Sequence, residues 1–320
     1  MTAAVTAVTR EDIDRAAERL ADRIRRTPVL RLEAGALGST LGSTTGWVLK
    51  VESMQHTGSF KPRGVFNLLL SRPTSSGVVT ASGGNAAMAV AYACQQLRLP
   101  ATVFVPRSAP PVKINRVAAL GARIEVGGDY YAHAYDAAVE HAARTGDLFV
   151  HAYDGPEILA GQGTVARELE QQAPEVDTVL VAVGGGGLIG GICSWYGAST
   201  RIVAVEPRQA PTLHAALQAD RAIDVEVSGI AADSLGARRI GVHGLAAIRA
   251  AGALSVLVTD SDISAARQRL WDDTRLVAES GGATALAALT SGAYRPAPDE
   301  CVAVLLCGAN TDPHDLVPRA

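Results

Sequence analysis

Apolar and polar positions along this chain fall into blocks with two periods. Thr9 followed by Asp12 reads as an N-cap, and Ile13, Ala16, Ala17 and Leu20 recur at helical spacing until Thr27-Pro28, which predicts an amphipathic first helix. After a glycine-spaced segment at 35–46, WVLKVES reads as a strand and KPRGVFNLLLS, from Lys61, as a helix. From Gly77 onward the blocks alternate: GVVTA, ATVFV and ARIEV as strands, with helices at Asn85 to Leu97, Pro111 to Leu120 and Ala132 to Arg144. The alternation resumes with a helix from Ile158 to Gln171, DTVLVAV as a strand and a helix from Leu188 to Tyr196. RIVAVE and SVLVT follow as strands, then two helices and CVAVLLC as the closing strand. The strands are short and almost wholly apolar, as strands buried on both faces are, which predicts parallel sheets covered by helices. With no repeat and no linker, the expectation is an α/β fold of two interlocked domains.

Composition supports that picture and narrows the partners. The 320 residues are 48% hydrophobic, with 32 glycines, 15 prolines and 4% aromatics, so the chain can bury a sizeable core and turn often. Net charge is -3 and pI about 6.2, without a basic run, which offers no electrostatic footprint for nucleic acid or an anionic membrane. Small molecules and further copies of the chain are the expected partners. Cys94, Cys193, Cys301 and Cys307 lack the paired spacing of a zinc or redox motif and read as free thiols in a reducing compartment. The N-terminus lacks the basic start and apolar core of a signal peptide, and no later segment has membrane-spanning length free of breakers, so a cytoplasmic location is expected.

Four junctions could carry chemistry. In Gly58-Ser59-Phe60-Lys61-Pro62-Arg63-Gly64 a lone lysine stands at a helix start, where the helix end and Arg63 would both disfavour its charged form and leave a nucleophilic amine. Taken alone it reads first as a solvated lysine at a helix start. Val183-Gly184-Gly185-Gly186-Gly187-Leu188 joins an apolar strand to a helix, so converging N–H groups and the helix N-terminus would suit a phosphate dianion. It matches neither a Walker motif nor the dinucleotide fingerprint, and a plain tight turn is the alternative. Ser82-Gly83-Gly84-Asn85 could hold a carboxylate at another helix start, or be an ordinary cap. Cys307, in Leu306-Cys307-Gly308-Ala309-Asn310, is a functional thiol or a buried small hydrophobe.

In this order the four junctions resemble the fold type II pyridoxal-phosphate (PLP) enzymes, and among them the serine/threonine dehydratase family. Ser59 to Gly64 matches its cofactor-lysine motif, Ala81 to Asn85 its substrate-carboxylate loop and Gly184 to Gly187 its tetraglycine phosphate loop. Further matches are Val105-Pro106 with Pro111 and Lys113, Ala160 to Thr164, Val205-Glu206-Pro207 and Glu279 to Ala283, so the likeness runs from about Arg26 to Asn310. It implies a fold like the tryptophan synthase β-subunit, in which 1–76 and 154–320 form a large PLP-binding domain and 77–153 a small one. Lys61 would carry the cofactor and act as the catalytic base. Phe60, Asn85, Leu188, Glu279 and Cys307 would join Gly184, Gly185, Gly186 and Gly187 around the cofactor, and Ser82, Gly83, Gly84 and Asn85 would take the substrate carboxylate. The implied reaction is dehydration of a 3-hydroxy amino acid, such as L-threonine or L-serine, to a 2-oxo acid and ammonia. A homodimer is implied by the resemblance alone.

Several positions depart from the family pattern. Ala86 stands where relatives often have histidine, and Ala232-Asp233-Ser234 replaces a commoner Ala-Asp-Gly, which bears on the substrate side chain. Thr212 stands where metal-dependent relatives place an aspartate beside the position of Glu206, so no divalent metal is expected. Gly83 has no side chain at the position where resembling racemases carry a proton-donating serine, which favours elimination over racemisation. A thiol at Cys307, where many relatives have serine, would be a weak neutral partner for the pyridine nitrogen. The chain ends ten residues after Asn310, so a feedback-regulated biosynthetic role is disfavoured. β-Replacement, threonine synthesis or racemisation are the rival PLP reactions, and a non-catalytic phosphate-ligand protein is the rival from another class.

Overall fold

The computed structural model describes residues 6–33, 35–38, 46–107, 109 and 111–316. Residues 1–5, 39–45 of the glycine-spaced segment, the side chains of Pro111 and Lys113, and 317–320 lie outside the described residues. In chain order the elements are α1 (Arg10–Leu20), β1 (Val29–Leu32), β2 (Trp47–Lys50), α2 (Pro62–Ser71), β3 (Val78–Ala81), α3 (Asn85–Leu97), β4 (Ala101–Val105), α4 (Pro111–Ala119), β5 (Arg123–Val126), α5 (Tyr131–Thr145) and β6 (Leu148–Phe149). They continue with α6 (Pro156–Gln172), β7 (Thr178–Ala182), α7 (Gly187–Tyr196), β8 (Arg201–Pro207), α8 (Thr212–Gln218), α9 (Ala232–Leu235), α10 (Val242–Ala251), β9 (Leu254–Val258), α11 (Asp260–Thr274), α12 (Ser280–Thr290) and β10 (Val302–Leu305).

Two sheets organise these elements. The larger has the order β1-β2-β10-β7-β8-β9, parallel except for the antiparallel edge strand β1, and the smaller has the all-parallel order β5-β4-β3-β6. Strands β2, β3, β7 and β10 are buried at every residue, as their apolar runs predict, while the edge strands β1, β5 and β9 keep part of their surface. Helix α2 links the two halves. Its Val65, Phe66, Leu68 and Leu69 join the core of the small sheet, whereas its backbone lies against α6, where a Cβ on Gly161 would come within 2.4 Å of the Arg63 carbonyl oxygen. Only glycine allows that approach.

The first helix is shorter than its pattern predicts. Thr9 and Asp12 do form a capping box, but α1 stops at Leu20 instead of running to Thr27. Beyond its end the Gln55 side chain holds the chain in a non-helical path, its Oε1 accepting from Arg25 N–H at 2.9 Å and its Nε2 donating to the Arg25 carbonyl at 2.7 Å. Among the described residues no helix is long and apolar enough to cross a membrane.

Candidate active site

Strand order builds the site. β2, β10 and β7 are parallel neighbours, so the segments leaving their carboxyl ends emerge on one edge of the sheet. β2 leads to Lys61, β10 to Cys307 and β7 to Gly184. Phe60 N–H donates to the Cys307 carbonyl at 3.2 Å and Ala309 N–H to that of Gly58 at 2.9 Å, which ties the lysine segment to the end of the closing strand. A cavity opens there, lined by Phe60, Lys61, Asn85, Gly184 to Leu188, Glu279 and Cys307 among others.

Lys61 precedes Pro62, the first residue of α2, and its Nζ donates to the Ala152 carbonyl at 3.0 Å. Enclosure of the amine brings its pKa down to about 8, against the opposing pull of Cys307 and Glu279. The expected contribution of Arg63 is absent. Arg63 is wholly buried and turned away, with Nε and Nη2 on Glu52 at 2.8 and 2.7 Å, Nη1 and Nη2 on Glu168 at 2.8 and 2.9 Å, and Nη1 on Thr164 at 3.1 Å. Two carboxylates compensate its charge, so burial alone lowers the lysine. Arg63 anchors the start of α2 instead.

The four glycines end β7 and open α7, with Gly186 at φ +90°. Among the described residues the N–H groups of Gly184, Gly185 and Gly186 donate to no backbone carbonyl, and those of the first helical turn lack intrahelical partners. Tyr153 lies over this loop: a Cβ on Gly185 would come within 2.2 Å of its ring, and one on Gly187 within 2.2 Å of its carbonyl oxygen.

Asn85 is held in one orientation. Its Oδ1 accepts from Asn310 Nδ2 at 2.8 Å and its Nδ2 donates to Glu279 Oε1 at 2.6 Å, while Asn310 Nδ2 also donates to the Thr57 carbonyl at 2.7 Å. Asn85 therefore offers its remaining N–H as a donor. The Cys307 thiol points to the Gly281 carbonyl at 3.6 Å, and burial, reinforced by Glu279, pushes its pKa up to about 12. It is neutral at any ordinary pH.

Ser82, Gly83 and Gly84 end β3 on the smaller sheet and do not line the cavity, although Asn85 beside them does. Two of the expected free amides are occupied, since Ser82 N–H donates to the Phe104 carbonyl at 3.1 Å and Gly84 N–H to Ser82 Oγ at 3.2 Å. Glu206 is buried, with its oxygens accepting from Leu213 and His214 N–H at 2.6 and 2.8 Å, and the Thr212 hydroxyl donates to the Ala237 carbonyl at 2.7 Å.

The sequence matches the family described as "Pyridoxal-phosphate dependent enzyme" over residues 7–308. The chain belongs to this family. An L-threonine ammonia-lyase of Geobacter sulfurreducens is 37% identical over 306 residues, 94% of this chain and 75% of that protein. One of Thermotoga maritima is 34% identical over 313 residues, 95% of this chain and 76% of that protein. Among solved structures, maize serine racemase matches with a TM-score of 0.91 at 30% identity, covering 97% of this chain and 96% of that one. The processed form of threonine deaminase isoform 2 from Solanum lycopersicum matches with a TM-score of 0.86 at 28% identity, covering 98% of this chain and 88% of that one. The fold type II architecture expected from the motifs is thus the one present.

As a PLP enzyme the chain has residues that fit the cofactor. The glycine loop is a cradle that a single Cβ would fill, its amides are free for a phosphate, and the Lys61 amine opens into the same cavity. Tyr153, Ser234 and Leu235 also line it and were not assigned to the site from sequence. Tyr153 belongs to the connection between β6 and α6, where no periodicity marks it. The change to Ser234 in the Ala-Asp-Ser stretch was the one available signal.

Proposed function

We propose that this chain is a PLP-dependent ammonia-lyase that dehydrates a 3-hydroxy amino acid, L-threonine or L-serine, to a 2-oxo acid and ammonia. The reading is carried by one observation: a single lysine amine of lowered pKa shares a cavity with a phosphate-type glycine loop and a neutral thiol. Bound PLP would supply the electron withdrawal that loosens bonds at the substrate α-carbon. Gly184 to Gly187 would hold its phosphate, with Phe60, Leu188 and Glu279 around it, Asn85 would donate to an oxygen on its ring, and Cys307 would face its nitrogen as a neutral, weak partner. Lys61, whose pKa of about 8 leaves an appreciable neutral fraction near neutral pH, would hold the cofactor and take the substrate α-proton. Ser82, Gly83 and the Asn85 amide would receive the substrate carboxylate.

The likeness to a serine racemase favours racemisation as a second reading. Racemisation needs a proton donor facing Lys61 across the cofactor, and Gly83 offers none; a Cβ there would meet Ala109 Cβ at 3.2 Å, so even a serine would fit only after a small shift. The same proposal takes 1–76 with 154–320 and 77–153 as two domains, and the protein as a cytoplasmic homodimer with no nucleic-acid partner. The test follows 2-oxobutanoate from L-threonine, and pyruvate against D-serine from L-serine, in native protein and Lys61→Ala. Release of 2-oxo acid lost in the variant is expected. D-serine forming as fast as pyruvate, or no 2-oxo acid at all, refutes the ammonia-lyase reading.

A further inference from the structure

The connection between β6 and α6 carries a histidine that the proposed reaction does not use. His151 Nδ1 accepts two backbone N–H groups, from Tyr153 at 3.3 Å and from Asp154 at 3.0 Å. A ring nitrogen that accepts carries no proton, so the imidazole is neutral with its proton on Nε2. Burial pushes its pKa down; nearby Asp154 opposes that and Lys61 adds to it. Aromatic rings wedge it in place, with Tyr153 at 4.6 Å and 89° and Tyr135 at 5.9 Å and 73°.

The turn closed on Nδ1 reaches Lys61, the glycine loop and helix α10. Ala152 presents its carbonyl to Lys61 Nζ at 3.0 Å. Tyr153 covers the glycine loop. The Asp154 carboxylate accepts from Val242 N–H at 3.0 Å and His243 N–H at 3.3 Å, and pairs with His243 Nδ1 at 3.1 Å, fixing the far end of the turn to the start of α10. His151 does not itself line the cavity.

We propose that His151 is a positioning residue for Lys61, acting through Nδ1 to close the turn that holds the Ala152 carbonyl against the lysine amine. Without an acceptor at Nδ1, two amides of the turn lose their partner and the turn must reorganise to satisfy them. The carbonyl then leaves the amine. Cys307 and Glu279, and the Phe60 ring whose centroid lies 5.0 Å from Nζ, also act on the amine and remain in place. As a role in the proposed reaction this rests on the ammonia-lyase reading, but the contact itself does not.

The chain has three lysines, Lys50, Lys61 and Lys113, so a cofactor-free protein labelled with ¹³C at lysine Cε allows the Lys61 amine to be titrated by NMR, assigned with Lys61→Arg. His151→Asn keeps an acceptor oxygen near the place of Nδ1, His151→Gln reaches the place of Nε2, and His151→Leu keeps neither. A carbonyl acceptor favours the charged amine, so its loss should lower the Lys61 pKa by about one unit in the Gln and Leu variants, with Asn left within about 0.3 of wild type. In the cofactor-loaded enzyme, kcat should fall roughly tenfold for Gln and Leu while KM changes little, with Asn again preserving the rate. Preservation by Gln but not Asn, a Leu variant that titrates like wild type, or an Asn variant that titrates like Leu overturns the proposal. If Leu fails to fold, the Asn–Gln contrast decides. A wild-type protein that shows no 2-oxo acid release yet keeps the titration pattern removes the ammonia-lyase reading alone.

Discussion

Replacing Arg63 by methionine should destabilise the protein far more than a surface arginine would. The guanidinium makes five hydrogen bonds, four of them to Glu52 and Glu168, and neither Arg63 nor Glu52 has exposed surface. Glu168 would keep Lys50, whose Nζ lies 2.8 Å from its Oε2, but among the described residues Glu52 would keep only the Thr27 hydroxyl as a hydrogen-bond partner, with Lys50 attracting it through space. Removing one partner from a buried ion pair leaves an uncompensated charge and costs about 3–5 kcal/mol. The cost here should reach the upper part of that span, because both remaining groups are carboxylates. Replacing Glu52 by glutamine in the same protein removes the stranded charge and should restore about 2 kcal/mol. The pH dependence supplies a second readout. Glu168 is held below the usual carboxylate range although burial works the other way, because Arg63 and Lys50 outweigh it. A carboxylate lowered in the folded state contributes stability above its unfolded pKa, and that contribution is lost as pH falls through the folded value. This loss below about pH 4.5 should shrink in Arg63→Met. Urea unfolding followed by circular dichroism measures both. A loss under about 1 kcal/mol, or a double variant weaker than Arg63→Met, would refute the reasoning.

Gly187→Ala drives a methyl group against the Tyr153 carbonyl oxygen, and cofactor affinity should drop at least roughly tenfold when apoprotein is titrated with PLP; unchanged affinity would argue against the glycine loop as the phosphate site. Cys307→Ser should keep 2-oxo acid release, since a hydroxyl is also neutral, whereas Cys307→Asp places a carboxyl beside Glu279 and should impair it; equal rates would reduce Cys307 to packing. Burial raises Glu206 to about 8 despite its backbone hydrogen bonds, so the folded state holds an extra proton between the unfolded value of 4.5 and about 8. Stability should therefore fall as pH rises through that window, and the slope should vanish in Glu206→Gln; an identical pH profile in both proteins counts against a raised Glu206.

Local pattern determined much of this protein. The apolar run of Val78 to Ala81, the helix from Asn85 to Leu97 and the junction glycines at 184–187 are legible because burial on two faces, helical period and glycine at a tight turn are properties of neighbouring residues. The antiparallel β1, the two-residue β6 and helices α8 and α10 escaped the pattern, being short, half exposed or too weakly periodic to stand out. The resemblance pointed to Lys61 as the expected cofactor lysine, but no spacing could say what surrounds it.

Tertiary structure alone decided the neighbours. Lys61, Gly184 and Cys307 are far apart in sequence and meet because β2, β10 and β7 lie side by side, a strand order that local hydrophobicity does not encode. Arg63 looked like a second cation beside Lys61, yet helical geometry turns it to the opposite side, onto Glu52 and Glu168, whose distances in sequence gave no hint of pairing. Ala152 bears no functional side chain at all. Its carbonyl reaches Lys61 only through a turn closed by His151, and a backbone atom's position is a property of the folded chain, not of its residue type.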